Sequence, residues 1–225
     1  ISGTNITALA TGSGSSGKKC SGVLSVDGSL YLYARNADGS GNESQLAWST
    51  DHGKNWTWAD WKWSEFGYCT FLNYGQDYAG ARDNYVYVYS HNDRNAYTGA
   101  DSFILMRVDK RKLAEKPDYE FFAGMDGDTP MWTSSVSGRE AVFTHDDACC
   151  RSGISYNEAI GRYLWWQQIW GTGGNKGEDT RFEGGFGIYD APEPWGPWTT
   201  AYYTHNWDIG PGDAACFPSK WMSDD

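Results

Sequence analysis

Ser-Thr-Asp-His-Gly-Lys-Asn-Trp, residues 49–56, is the stretch that decides the fold of this chain. Its pattern is Ser-x-Asp-x-Gly-x-x-Trp. The carboxylate of Asp51 can accept hydrogen bonds from backbone N–H groups further along, and Gly53 adopts a positive φ at no steric cost, so the octet predicts a tight turn. Trp recurs at every second or third position in residues 56–63. We therefore expect a β-hairpin whose outgoing strand carries an aromatic face, and no catalytic role for Asp51 or His52.

Composition favours an all-β domain and excludes several classes of function. The 225 residues are 40% hydrophobic and 16% aromatic with 28 Gly, which is typical of a β-rich core joined by tight turns. The net charge of −11 argues against nucleic acid and against anionic membrane surfaces as partners. No apolar run reaches the roughly 20 residues of a membrane-spanning helix. We expect no cofactor and no metal, because the five cysteines lack a zinc-type spacing.

The predicted strands repeat in the same order. Each unit begins with a strand that carries a cysteine near its start, at Cys20, Cys69, Cys150 and Cys216. The predicted strands lie at 20–26, 30–35, 44–49 and 56–63, then at 68–73, 85–89, 103–108 and 119–122, then at 150–156, 162–170, 186–189 and 199–204, and a fourth unit starts at 216. Residues 124–147 are predicted to be an irregular connection, and residues 1–17 a flexible lead-in or interblade loop. Repeated four-stranded units of unequal loop length are typical of propeller blades.

Four stretches resemble known propeller families. Residues 49–56 resemble the Asp-box of sialidase-type β-propellers. Residues 186–199, with their Gly-Pro-Trp turn, resemble the outer hairpin of five-bladed carbohydrate-active propellers. Residues 80–91 and 163–166 are similar to the DUF4185 type. The resemblance spans roughly residues 18–225. It implies a five-bladed, four-stranded-blade propeller and a carbohydrate-active function, since some relatives are glycoside hydrolases acting on arabinan-like polymers.

Three complete units and one started strand do not close a ring of blades. We therefore expect a single propeller domain over residues 1–225 that covers about three and a half blades of a longer propeller. Three Asn-x-Ser/Thr sequons mildly favour an extracellular or secreted protein.

Candidate site residues follow from propeller geometry. A propeller's ligand site usually lies where the inner strands converge, at the loops that enter strand one and those that join strands two and three. Glycoside hydrolysis requires two carboxyl groups across the scissile bond, and Asp147, Glu183 and Asp213 are the candidates for these. The expected substrate-binding residues of the same face are Arg151, His91, His145, Tyr68, Arg35 and Trp170. Tyr97 belongs to the aromatic residues at loop ends that are expected to stack on sugar faces.

Several alternatives stay open at this point. A buried Arg151 requires an anionic partner, either Asp147 or a substrate carboxylate. His145, Tyr68 and Arg151 also suit a polysaccharide lyase acting on a uronate-containing glycan, in which a cation neutralises the carboxylate and Tyr or His moves the proton. A non-catalytic glycan-binding propeller is the third hypothesis. The cysteines at the strand starts suit small apolar packing, and a Cys20–Cys69 disulfide is an alternative.

Overall fold

The computed structural model describes residues 17–169, 185–205 and 214–222, and in these ranges the chain is built from β-strands and four short 3-10 helices. The strands are β1 Lys19–Val26, β2 Ser29–Arg35, β3 Ser44–Ser49, β4 Thr57–Trp58, β5 Thr70–Asn73, β6 Tyr85–His91, β7 Ala100–Asp109, β8 Glu120–Asp126, β9 Thr129–Thr133, β10 Ala141–Asn157, β11 Arg162–Ile169, β12 Gly185–Ala191 and β13 Thr199–Thr204. The 3-10 helices are Gln76–Tyr78, Lys116–Asp118, Val136–Gly138 and Ser219–Trp221. None of the described helices has the length and apolar character needed to span a bilayer.

The first four strands form an antiparallel sheet in the order β1-β2-β3-β4. Asp27 and Gly28, with φ values of 48° and 80°, make the two-residue turn between β1 and β2. Two successive residues with positive φ match the right-handed twist of the strands they join. The unit is therefore a four-stranded meander, as the sequence predicts.

The turn at residues 49–56 is held by its own side chains. Ser49 Oγ donates to Asp51 Oδ1 over 2.8 Å and accepts the N–H of Gly53 at 2.9 Å. The Asp51 carboxylate accepts the backbone N–H and the side-chain amide of Asn55 at 2.9 and 2.6 Å. These hydrogen bonds favour the carboxylate, and they lower the pKa of Asp51 to about 2. The turn is thus a structural element fixed by short-range hydrogen bonds.

The outgoing strand is shorter than predicted. The prediction of a strand over residues 56–63 was wrong in extent, since β4 contains only Thr57 and Trp58. The chain then returns to β3, where Trp63 forms an isolated β-bridge with Ser44. The Trp repeat reflects packing of the indole rings, because Trp63 is 1% exposed and its ring contacts Tyr119 edge-on at 5.3 Å.

The remaining nine strands form one sheet in the order β13-β12-β11-β10-β5-β6-β7-β8-β9. Two antiparallel units, β5 to β8 and β10 to β13, meet where β10 pairs with β5 in parallel through Ile154↔Leu72 and Ser155↔Asn73. Parallel neighbours at the first strand of each unit are the arrangement of inner strands in a propeller. The chain is thus all-β, with three four-stranded units arranged as blades.

The segment 124–147, predicted to be an irregular connection, is largely ordered as strand. It contains β9 and the first part of β10, which pairs with β7 from Ala141↔Ile104 to Cys149↔Ala100. The second part of β10 pairs with β11. β10 therefore belongs to two units, because its first part pairs with β7 and its second part with β11. Its register shifts between Thr144 and Cys149, where the strand passes from the first of these units to the second.

Aromatic side chains join neighbouring units. Within the first unit, Trp63 Nε1 donates to Tyr33 OH at 3.3 Å, and that hydroxyl donates to Tyr119 OH of the second unit at 3.1 Å. Between the second and third units, Trp165 is fully buried with its ring 5.0 Å from Tyr89. Buried Tyr and Trp need partners for their polar atoms, so the Tyr33 contacts fix the relative position of two blades as well as filling space.

Candidate active site at the convergence of the inner strands

The four segments that carry Cys20, Cys69, Cys150 and Cys216 lie side by side. Ser21 Oγ donates to the carbonyl of Cys69 at 2.7 Å, which joins β1 to the entry of β5. β5 pairs with β10 as described above, and Ser155 Oγ in β10 donates to the carbonyl of Phe217 at 2.6 Å. The expectation that these segments meet around a common centre is confirmed for each neighbouring pair in the described chain.

Glycines let the inner segments approach closely. A Cβ on Gly22 would lie 3.0 Å from the Cα of Thr70, and a Cβ on Gly153 would lie 2.5 Å from the carbonyl oxygen of Ala215. A side chain at position 153 would require the backbone of Ala215 to move, and one at position 22 would be in tight contact with the backbone of Thr70. A cavity of about 210 Å³ remains between the segments, and all four line it. Its lining includes Ser21, Tyr68, Thr70, Ser152, Ser155 and Cys216.

Two buried arginines lie beside two tyrosines, and one of these tyrosines, Tyr68, lines this cavity. Arg35 ends β2 and is 6% exposed, and Arg151 lies in β10 and is 4% exposed. The guanidinium carbon of Arg35 is 5.5 Å from the ring centre of Tyr68 and 5.0 Å from that of Tyr97. The corresponding distances from Arg151 are 5.8 and 5.4 Å. Both cations therefore lie within cation–π range of the same two rings. We call Arg35, Tyr68, Tyr97 and Arg151 the arginine–tyrosine cluster.

The two tyrosines have different acidities. Burial raises the pKa of Tyr68 to about 12, even though Arg35 and Arg151 favour the phenolate. Burial also opposes ionisation of Tyr97, but hydrogen bonds from Asn36 and Lys19 together with the charge of Arg35 lower its pKa overall. Tyr68 is thus a neutral phenol at neutral pH, and Tyr97 is a strengthened hydrogen-bond donor.

Tyr97 is held by the polar residues around it. Its hydroxyl accepts from Asn36 Nδ2 at 2.8 Å and from Lys19 Nζ at 3.3 Å. Its backbone N–H donates to Asn95 Oδ1 at 2.8 Å. His91, which is fully buried, places its Nε2 2.9 Å from the carbonyl oxygen of the same Asn95. Desolvation lowers the pKa of His91, and the charge of Arg151 acts in the same direction, so the imidazole is neutral at neutral pH.

The structure places the other predicted residues as follows. Asp147 is exposed in the irregular part of β10, with φ of 55° and its N–H donated to Asp101 Oδ1 at 2.8 Å. His145 lies beside Tyr203, 5.7 Å between ring centres, and burial with the nearby His205 lowers its pKa. Glu183, Asp213 and Trp170 lie outside the described residues.

Four of the predicted residues are thus brought together, namely Arg35, Tyr68, His91 and Arg151, with Tyr97 added from the aromatic candidates. Lys19 was missed by the sequence reasoning. The signal for it was its position directly before Cys20, at the start of the first inner strand.

The cysteines are free thiols, and no disulfide joins Cys20 to Cys69. Burial raises the pKa of the Cys69 thiol to about 12, so it is a neutral packing residue. Within the described ranges, no group of three or more His, Cys, Asp or Glu side chains is arranged to hold a metal ion.

No family model and no curated protein matches the chain. Three of the solved structures that it resembles are an exo-β-1,3-galactanase from Phanerochaete chrysosporium, the catalytic domain of a GH62 α-L-arabinofuranosidase from Coprinopsis cinerea and a sialidase from Trypanosoma rangeli. Their identities to this chain are 11%, 13% and 14%, and their TM-scores are 0.37, 0.40 and 0.37. The matches to the galactanase, the arabinofuranosidase and the sialidase cover 82%, 92% and 84% of this chain. They cover 49%, 76% and 39% of those three proteins, so the chain spans less than half of the galactanase and of the sialidase.

Proposed function

We propose that this chain belongs to a secreted, five-bladed carbohydrate-active propeller that hydrolyses a polysaccharide, with the turn at residues 49–56 acting as an Asp-box. The observation that carries the proposal is the arginine–tyrosine cluster, whose Tyr68 lines the cavity between the inner strands. Rings that can stack on a sugar lie there beside guanidinium groups that hydrogen-bond its oxygens. Concave sites with a few convergent polar groups are typical of ligand sites.

Hydrolysis in this proposal uses two carboxyl groups. One protonates the leaving oxygen, and the other acts as a base on water or as the nucleophile. Asp147, Glu183 and Asp213 are the proposed sources. Asp147 precedes the buried inner part of β10 that carries Arg151, so it enters from the same end as the cluster. Arg35, Tyr68, His91, His145, Arg151 and Trp170 are the proposed substrate-binding residues, with His91 acting through the Asn95 loop that holds Tyr97.

The test is an assay of the complete protein for new reducing ends on a panel of neutral and acidic polysaccharides. Asp147→Asn, Glu183→Gln and Asp213→Asn are compared with Asp60→Asn, an exposed acid between β4 and Trp63. At least two of the three site variants are expected to lose most of the activity, on the order of a hundredfold or more, while Asp60→Asn keeps the wild-type rate. Wild-type rates in all three, with unchanged thermal unfolding, would discard this assignment.

One observation favours a second candidate, a polysaccharide lyase. Tyr68 lies against both Arg35 and Arg151, and a cation beside a phenol is the pair that β-elimination from a uronate requires. The same panel separates the two reactions, because a lyase produces the ultraviolet absorbance of unsaturated uronates and a hydrolase produces reducing ends without it. Retained affinity with neither signal identifies a glycan-binding protein without catalysis.

A further inference from the structure

We infer that the arginine–tyrosine cluster recognises an oxyanion on a sugar ring, a carboxylate or a sulfate, so that the glycan bound at this site is acidic. This inference rests on the proposed carbohydrate site and adds the substrate class. It applies whether the bond is cut by hydrolysis or by elimination.

The cationic side chains of the cluster contrast with the charge of the chain as a whole. The chain as a whole carries a net charge of −11, which repels anions at long range. At the cluster, three cationic side chains from three strands converge on the ring of Tyr97, namely Lys19 of β1, Arg35 of β2 and Arg151 of β10. Lys19 Nζ lies 5.7 Å from the ring centre of Tyr97. A cationic spot on a strongly acidic protein selects the anionic part of a ligand.

Both guanidinium groups are almost completely buried, and both lie within 6 Å of the Tyr68 and Tyr97 ring centres. The planar fork of Arg matches the geometry of carboxylate and sulfate oxygens. Two such forks beside the same pair of rings therefore suit a ligand group with two or more acceptor oxygens.

The direction of the hydrogen bonds at Tyr97 also favours an oxyanion. The Tyr97 hydroxyl oxygen already accepts from Asn36 and from Lys19, so its own hydrogen is directed to another acceptor. Lys and Arg side chains have donors and no acceptors. A neutral sugar hydroxyl needs acceptors as well as donors, whereas a carboxylate or sulfate oxygen only accepts. The composition of the cluster therefore fits an oxyanion better than a hydroxyl group.

The experiment measures binding by calorimetry with the complete protein. The probes are oligosaccharides of galacturonan, glucuronoxylan and hyaluronan, each compared with its carboxyl-reduced counterpart, together with sulfated galactan oligosaccharides and their desulfated forms. Reduction of the carboxyl group keeps the ring and the linkage and removes only the charge. We expect at least one acidic probe to bind about tenfold or more tightly than its neutral counterpart, with a preference that weakens at high salt. The probe that shows the preference distinguishes carboxylate from sulfate.

Variants identify the residues that cause the preference for an acidic probe over its neutral counterpart. Arg35→Gln and Arg151→Gln are expected to abolish it, and Arg151→Lys to recover part of it, because a lysine keeps the charge and loses the fork. Lys19→Gln alters an exposed side chain, so it tests the cluster even if an arginine variant fails to fold. Arg111→Gln removes one positive charge at a remote exposed site and serves as the matched control.

The outcomes separate this inference from the proposed function. A preference for an acidic probe that Lys19→Gln or Arg151→Lys reduces, and that Arg111→Gln leaves intact, supports the inference. Equal binding of acidic and neutral forms, or cleavage of neutral glycans alone, overturns it while leaving the carbohydrate site in place. Failure of every glycan to bind or to be cut overturns both.

Discussion

Replacing Gly153 by Ala tests whether residues 214–217 pack on the inner strand β10. The added methyl carbon would lie 2.5 Å from the carbonyl oxygen of Ala215 and 2.6 Å from the Cβ of Cys216. Neither atom is the end of a flexible side chain, so the backbone must shift, and the shift also strains the hydrogen bond from Ser155 to Phe217. Overpacking of this kind costs about 1–3 kcal/mol. For a chain of this size, each kcal/mol lowers the melting temperature by about 2–4 °C, which gives an expected fall of about 2–12 °C.

The measurement is denaturant and thermal unfolding of the wild type and of Gly153→Ala. Gly138→Ala is the matched control, because its added Cβ would come no closer than 3.3 Å, to the Thr133 side chain on an exposed turn. We expect the control to lie within about 0.5 kcal/mol of the wild type. If Gly153→Ala is as stable as the control, residues 214–217 do not lie against β10, and the cavity loses one of its four walls.

Three further variants test the core and the ionisable groups. Trp165→Ala is expected to lower the free energy of unfolding by about 3–5 kcal/mol, measured by denaturant unfolding, because the fully buried indole joins two blades. The pKa of His91 is lower in the folded state than in the unfolded state. The contribution of His91 to stability is therefore complete above about pH 6.5 and is lost as the pH falls below that value. His91→Gln is expected to flatten that part of the curve of stability against pH. The pKa of Asp51 is depressed to about 2, so its contribution is present above the ordinary value and is lost as the pH falls towards 2; Asp51→Asn should remove this acid dependence. An unchanged pH curve in either variant contradicts the corresponding assignment.

Local patterns were enough to predict most strands and the order in which they repeat. Alternating side chains in β6 and β7 and the Asp27-Gly28 turn are decided by neighbours in sequence, and β3 and β13 have the predicted bounds. The first part of β10 could not be predicted in this way. Its polar residues Thr144 and His145 show no strand alternation, and its partner strand β7 lies about 40 residues earlier. Pairing with a distant strand overrides local preference.

The order of strands predicts most of the cluster, but it does not predict how Tyr97 reaches it. Strand order determines which strand ends share a face, and it assigns Arg35, Tyr68, His91 and Arg151 to the same face. Tyr97 enters the cluster only because residues 92–99 fold back over the first unit, where the N–H of Ala96 donates to the carbonyl of Gly41 at 2.9 Å. That contact joins two blades through their loops.

The same contact explains why the site depends on neighbouring blades. Glu43 donates its N–H to the carbonyl of Arg94 at 3.0 Å, so the loop of the second unit is anchored to the first at two points. The loop then brings Tyr97 within reach of Lys19 and Asn36 of the first unit, while Arg151 arrives from the third. A ligand bound by these residues therefore contacts three blades at once, and its binding energy stabilises their packing as well as the complex. We expect an acidic oligosaccharide that binds here to raise the melting temperature, and Tyr97→Phe to reduce that rise. The unliganded melting temperature of Tyr97→Phe should fall by only a few degrees, because the ring is kept and the hydrogen bonds from Asn36 and Lys19 are lost. An equal ligand-induced rise in Tyr97→Phe would show that the Tyr97 hydroxyl does not touch the ligand.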